Sequence, residues 1–426
     1  MEKTKKSGKF WLSLIIFSLI GQIAWVMENM YLNVFIYKRF RASAESISLM
    51  VGASSVAATV TTLLIGALSD KLGKRKIFIC GGYLCWGISI WCFALINMLS
   101  PAAAMGAAAI SLGVSLTVVA DCIMTFFGSA ANDAAFNAWL TDSTDETNRG
   151  AAEGINAMMP MMAILVVFGG AMFLNPESSS YWNIIFGVIG TVVFLLGLLG
   201  FFIIQEPRVD VSDNTHYFKN LLYGFRPSVI GENKHLYITL LAYAVFGISI
   251  QIFMPYLILY YEVALGMKDY VLVFAPAILL AAAFTFFYGR VYDRKGFAVS
   301  ILPALVLLLT GYDVLYLFRS TLPVFLGTLL MLCGYLSGMA VFGAMLRDHT
   351  PQNKAGMFQG QRIIAQVLIP GIIGPAIGAA VLKNAETIQN GDGTVSFIPN
   401  RNIFMAAFVA GVAIFLALIP LLKKRK

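Results

Sequence analysis

Uninterrupted apolar runs of about twenty residues, each long enough to carry an α-helix across ~30 Å of hydrocarbon, recur along nearly the whole of this 426-residue chain. Inside hydrocarbon every backbone N–H and C=O must be satisfied within the structure, so only helices and closed barrels can span it. A barrel strand would alternate polarity over ~10 residues, whereas these runs are continuous and rich in Leu, Ile, Ala, Gly and Phe. They are read as helices. The chain is 59% hydrophobic and 12% charged, with a mean hydropathy of +0.79, which leaves no room for a large soluble domain.

Hydropathy and polar breaks predict twelve spans, at 11–38, 47–69, 77–98, 108–140, 151–174, 181–204, 236–261, 270–292, 298–318, 322–346, 357–382 and 401–422. The first is expected to be a span rather than a cleaved signal, because its apolar segment is long and lacks a small-residue cleavage site. Residues 100–110 are expected to form an outer loop or a re-entrant turn. The longest hydrophilic break, 205–235, divides the chain into an N-terminal half (1–204), a central loop and a C-terminal half (236–426). The expected fold class is therefore an all-α membrane protein, with twelve transmembrane helices in two pseudo-symmetric six-helix halves.

The net charge of +8 sits in short loops, not on one soluble face, so it reports topology and no nucleic-acid partner is expected. Lys3, Lys5, Lys6 and Lys9, the group Lys71, Lys74, Arg75 and Lys76, the trio Arg290, Arg294 and Lys295, and the tail 423–426 fall on one side. The positive-inside rule makes that side cytoplasmic, with both termini there and the protein in the cytoplasmic membrane. Lys38, Arg39 and Arg41 depart from this pattern. The five cysteines lie in apolar segments without metal-type spacing and are read as small buried hydrophobes.

Two motifs recur in the two halves. Gly66, Asp70 and Gly73 in "GALSDKLGKR" have counterparts, at one constant offset, in Gly289, Asp293 and Gly296 of "GRVYDRKGF". Each copy follows the second span of its half. After the fourth span, Asp142, Gly150 and Gly154 match Asp348, Gly356 and Gly360 in the same way. With these residues in view, the chain resembles the major facilitator superfamily over essentially its whole length. That resemblance implies two parallel six-helix repeats around a central path that rock to give alternating access. It also implies a gating role for Gly66, Asp70, Gly73 and Arg75 in the first loop, for Asp142, Arg149 and Gly150 after the fourth span, and for Asp293 in the second half. Asp70 is expected to face a helix N-terminus of the other half, with Lys74 and Arg75 staying in the cytoplasm. A tight turn carrying a topology signal would account for Gly73 and the basic cluster but leaves Asp70 unexplained.

Ionisable side chains inside spans are costly and mark pathways. On the first helix, Gln22, Trp25, Asn29 and Asn33 form a stripe at ~100° per residue, with Glu28 on its border. A carboxylate there suits a coupling cation, a proton or a substrate hydroxyl, and equally an interhelical hydrogen bond. Trp25 suits a sugar face or plain packing. On the fourth helix Asp121, Thr125, Gly128 and Asn132 share a face, and Asp121 reaches the same depth as Glu28. Asp133 is expected to pair with a basic residue nearer the cytoplasm. The second half offers Gln251 on its first helix and Gln359, Arg362 and Gln366 on its fifth.

Within the superfamily, "VMENMYLNVF" and "NDAAFNAWLTD" are most similar to the glycoside-pentoside-hexuronide cation symporters and the sucrose-transporter group. This implies cation-coupled uptake of a sugar or glycoside by a monomer, with Glu28, Asn29, Trp25, Asn33, Asp121, Asn132, Gln251 and Gln366 binding substrate or cation. The helix-2 aspartates of sodium-coupled members are absent, since "ISLMVGASSVAATVTTLLIGALSD" has no acid before Asp70, which favours protons over sodium. The rival reading is a proton-coupled drug or metabolite exporter. Helix 5 lacks the G-P-x-x-G-G element of that group, although Gly374 and Pro375 stand on helix 11. No nucleotide, metallopeptidase or serine-hydrolase motif occurs, so neither an enzyme nor a cofactor beyond the coupling ion is expected.

Overall fold

The computed structural model describes residues 7–99, 107–144, 148–174, 178, 180–207, 225–350, 358–391 and 393–422. Expectations for 100–106, for most of the central loop and for the two terminal lysine clusters lie outside them. Among the described residues, twelve helices are long and apolar enough to cross a membrane. They are α1 (Gly8–Phe40), α2 (Ala44–Leu72), α3 (Lys76–Asn97), α4 (Ile110–Asp142), α5 (Gly154–Ala171), α6 (Tyr181–Ile203), α7 (Lys234–Ala264), α8 (Tyr270–Tyr292), α9 (Arg294–Leu317), α10 (Thr321–His349), α11 (Gly360–Leu382) and α12 (Asn402–Leu422). Each meets one expected span. α1 is longer than expected at both ends.

The chain divides into two compact units. The first comprises Met1–Ala42, Ala53–Tyr217 and Gly391–Thr394, and the second Ser43–Gly52, Phe218–Asn390 and Val395–Lys426. In the first unit, glycines let α3 and α6 approach to backbone contact. A Cβ on Gly87 would stand 2.7 Å from the Gly190 carbonyl oxygen, and one on Gly190 would stand 3.0 Å from the Gly87 oxygen. In the second unit α9 and α10 pack the same way, with a Cβ on Gly334 falling 2.3 Å from the Leu308 nitrogen. Hydrocarbon provides no hydrophobic drive between helices, so such small-residue seams carry the association.

Both motif glycines stand at positive φ. Gly73 between α2 and α3 has φ 62° and Gly296 between α8 and α9 has φ 76°, values that a Cβ disfavours. The sequence repeat therefore puts a glycine at positive φ at the same point of each half. The departure of Arg39 from the charge pattern also has a local cause: its Nη2 donates to the carbonyl oxygens of Asn97 and Leu99, at and just beyond the C-terminus of α3. Those carbonyls lack intrahelical partners and carry the negative end of the helix dipole.

One element was not anticipated. Thr387–Gln389 (β1) and Val395–Phe397 (β2) form an antiparallel hairpin between α11 and α12, with Thr387 opposite Phe397. The signal is present in the sequence as Asn390–Gly391 between β-favouring residues.

Candidate functional site

α1 and α4 each loosen into a π-helical stretch, with i→i+5 bonding, where their polar residues sit. The segments are Met27–Tyr31, containing Glu28, and Ser129–Phe136, containing Asn132 and Asp133. Such bulges cluster at functional sites because they re-aim side chains. Glu28 is turned inward and is 7% exposed, while Asp121 on α4 is 2% exposed. The Thr125 hydroxyl donates to Glu28 Oε1 at 2.8 Å, and the Ser54 hydroxyl of α2 hydrogen-bonds Asp121. The two carboxyl groups lie near enough to act on one another. Glu28 Oε2 and Asp121 Oδ1 are buried without a hydrogen-bond partner among the described residues.

This arrangement is unusual in physical terms. A buried carboxylate oxygen without a donor loses its hydration and gains nothing in return. Two such groups flanked by two hydroxyls offer an all-oxygen environment that one positive charge, a proton or a small cation, would neutralise. Among the described residues no group of three or more His, Cys, Asp or Glu stands together as a metal site.

The other expected residues of the first unit separate into two classes. Trp25 is half-buried, its ring 5.0 Å from that of Trp86, and Asn29 beside it is exposed and donates to the Trp25 carbonyl at 2.8 Å. These two are accessible to a solute. Asn33 is buried and donates to the Asn29 carbonyl. Asn132 is also buried, donating at 2.8 Å to the Tyr83 hydroxyl, which in turn donates at 2.9 Å to the Phe17 carbonyl. Asn132 thus ties α1, α3 and α4 together, a structural part not anticipated for it. Asp133 accepts from Ser129 on its own helix at 3.0 Å, and no described basic side chain pairs with it, contrary to expectation. In the second unit Gln251 is half-buried against Gly374, and Gln366, in the π-helical stretch Ile364–Leu368, accepts from Arg362 at 3.4 Å.

The motif end of the first unit centres on Arg75, which is 4% exposed. Its guanidinium reaches Asp70 at 2.6 Å, Asp142 at 2.8 Å and the Ser69 hydroxyl at 2.7 Å. Burial lowers the pKa of this guanidinium, but the Asp142 hydrogen bond and the Asp70 charge outweigh it and the net shift is upward. The two sequence motifs of this half are thereby joined through a single side chain. Glu206, after α6, accepts the backbone N–H groups of Arg75 and Lys76 and so seats a carboxylate on the N-terminus of α3. Sequence reasoning missed Glu206, although a lone acid directly after an apolar span was its visible sign.

In the second unit Asp348, counterpart of Asp142, accepts a hydrogen bond from Tyr292. Asp293, Arg149 and Gly150, expected to take part in gating, have helical backbones, and their surroundings lie outside the described set.

Several solved structures share this fold. A D-xylose–proton symporter superposes with a TM-score of 0.75 at 13% identity, over 96% of this chain and 97% of that one. The nucleoside transporter NupG gives 0.70 at 13%, over 97% and 99%. A bacterial homologue of the human lysosomal transporter Spinster, in an inward-facing and occupied conformation, gives 0.69 at 17%, over 98% of both. No curated protein matches the sequence significantly. The sequence profile of the Major Facilitator Superfamily matches residues 10–375. With its twelve membrane-crossing helices, the chain belongs to the major facilitator superfamily and is a multi-pass membrane transporter, not an enzyme.

Proposed function

We propose that the protein is a secondary active transporter that takes up a sugar or glycoside together with a proton, working by alternating access. The single observation that carries the reading is the pair Glu28 and Asp121, two buried carboxyl groups with one unpartnered oxygen each, bracketed by Thr125 and Ser54. Such a pair changes its charge with one proton, and a charge change inside the bundle is what couples an ion gradient to a conformational cycle. Serine at position 54, on the helix where sodium-coupled relatives carry aspartates, favours the proton over sodium.

Trp25 and Asn29 form the accessible face beside the pair, an aromatic plate next to an amide, which is suited to a sugar ring and its hydroxyls. Gln251 and Gln366 are the corresponding polar candidates of the second half. In this reading the protein acts as a monomer in the cytoplasmic membrane with both termini inside, and Asp70, Arg75 and Asp142 set the conformational equilibrium. The similarity to glycoside-pentoside-hexuronide symporters rests on the residues around Glu28 and Asn132.

A second reading, proton-coupled efflux of a lipophilic compound, is favoured by one feature. A groove of about 520 Å³ between α2 and α4, lined by Ala57, Thr61, Leu64, Cys122 and Phe126 among others, is almost wholly apolar. The two readings separate in proteoliposomes under an imposed inward proton gradient. Uptake of one member of a panel of mono- and disaccharides, collapsing with a protonophore, supports symport. Absence of any sugar flux, with proton release on addition of lipophilic cations, supports export instead.

A further inference from the structure

The end of α8 and the first residue of α9 carry a stripe for which transport has no evident need. Phe286, Arg290 and Arg294 follow one another at single-turn spacing on one face, with Phe287 beside them. Both rings are exposed, Phe286 by 64% and Phe287 by 61%. The Arg290 guanidinium carbon stands 5.3 Å from one ring centroid and 5.4 Å from the other, within cation–π range of both. Arg290, Arg294 and the following Lys295 are all exposed. Among the described side chains no carboxylate forms an ion pair with this trio, the Asp293 side chain lying outside them. Asp348 is engaged by Tyr292, which points away from the stripe, about 200° round the helix from Arg290.

The internal repeat serves as a control. In the first half the positions matching Phe286, Phe287, Arg290 and Arg294 are Leu63, Leu64, Ala67 and Lys71, and Ala67 is buried. A glycine at positive φ follows in both halves, Gly73 and Gly296. Rings and arginines precede it only in the second half, so the stripe is an addition peculiar to that half.

The geometry points to a binding site for the headgroup of an anionic phospholipid on α8. Exposed rings on a membrane-crossing helix face acyl chains, and arginines one and two turns farther along reach the headgroup level. Two guanidiniums at that level offer paired donors to a phosphodiester, and Arg290, held between the rings, gives up little freedom on binding. The rings exclude a free anion as the natural occupant, since half of the site is apolar and is covered only when acyl chains accompany the phosphate.

The test is native mass spectrometry of the full chain, released from bilayers of equal phosphatidylglycerol and phosphatidylcholine. The wild type is expected to retain phosphatidylglycerol preferentially, and Arg290→Gln with Arg294→Gln to lower that preference on the order of tenfold. Lys71→Gln, at the matching position of the first half, leaves it unchanged. Phe286→Leu with Phe287→Leu keeps every charge and still lowers the preference, because the rings no longer position Arg290. An undiminished preference in the double arginine variant overturns the proposal. So does an equal loss in Lys71→Gln, which would mean diffuse surface charge, or displacement of the lipid by millimolar inorganic phosphate, which would mean a free-anion site.

Discussion

Glu28 and Arg75 pose opposite problems at the residue scale. Glu28 is an acid buried with one oxygen satisfied and one not, whereas Arg75 is a cation buried among two carboxylates and a hydroxyl. The first is incomplete until a positive charge arrives, and the second is complete as it stands. Substitutions should therefore act in different currencies. Glu28→Gln keeps shape and removes the charge, so the protein should fold with an unchanged melting midpoint yet lose proton-driven accumulation while retaining solute exchange down a gradient. Arg75→Gln removes hydrogen bonds to charged partners worth about 1.5–3 kcal/mol each before solvent screening, a loss moderated because Asp70 is half exposed. The expected outcome is a lower midpoint in a thermal melt in detergent. Asp142→Asn combined with Arg75→Gln should cost less than the sum of the single changes, because both break one bridge.

Gly73 and Gly296, at the scale of elements, stand at positive φ after α2 and α8. Alanine at either should cost about 1–3 kcal/mol from backbone strain alone, since nothing lies within 4 Å of the Cβ it would add at Gly296. At Gly190 the cost has a different source. Alanine there would press a methyl to 2.6 Å from the Trp91 ring and 3.0 Å from the Gly87 oxygen, so α3 and α6 should part and the melt should broaden as well as shift. Much of this was legible beforehand. The spans, the repeat and the turn glycines follow from hydropathy and offset alone. The phase of the polar faces did not, because counting at ~100° per residue fails through the π-helical stretches at Met27–Tyr31 and Ser129–Phe136. That is why Glu28, read at the border of a stripe, is buried, and why the hydrogen bond by which Asn132 ties its helix to Tyr83 was not foreseen. The burial of Arg75 was not legible for another reason: local sequence shows a basic loop, whereas that burial depends on Asp142, a long way along the chain.

Taken as a whole molecule, the two halves share small-residue helix seams and a glycine at positive φ after their second helices, but among the described residues the buried acid pair stands in the first half. Of its counterpart helices in the second, α7 carries the half-buried Glu262 in its own π-helical stretch Tyr260–Ala264, and α7 and α10 meet in the Tyr261–Thr328 contact. An ion-coupled carrier needs only one half to change charge for the cycle to be coupled. The most direct test of that claim is the external pH recorded when a transported sugar is added to de-energised proteoliposomes holding wild-type or Glu28→Gln protein. Alkalinisation with the wild type, absent with Glu28→Gln although the sugar still enters down its gradient, is the predicted result. Equal proton movement in both proteins, or sugar entry without proton movement in either, would contradict the account.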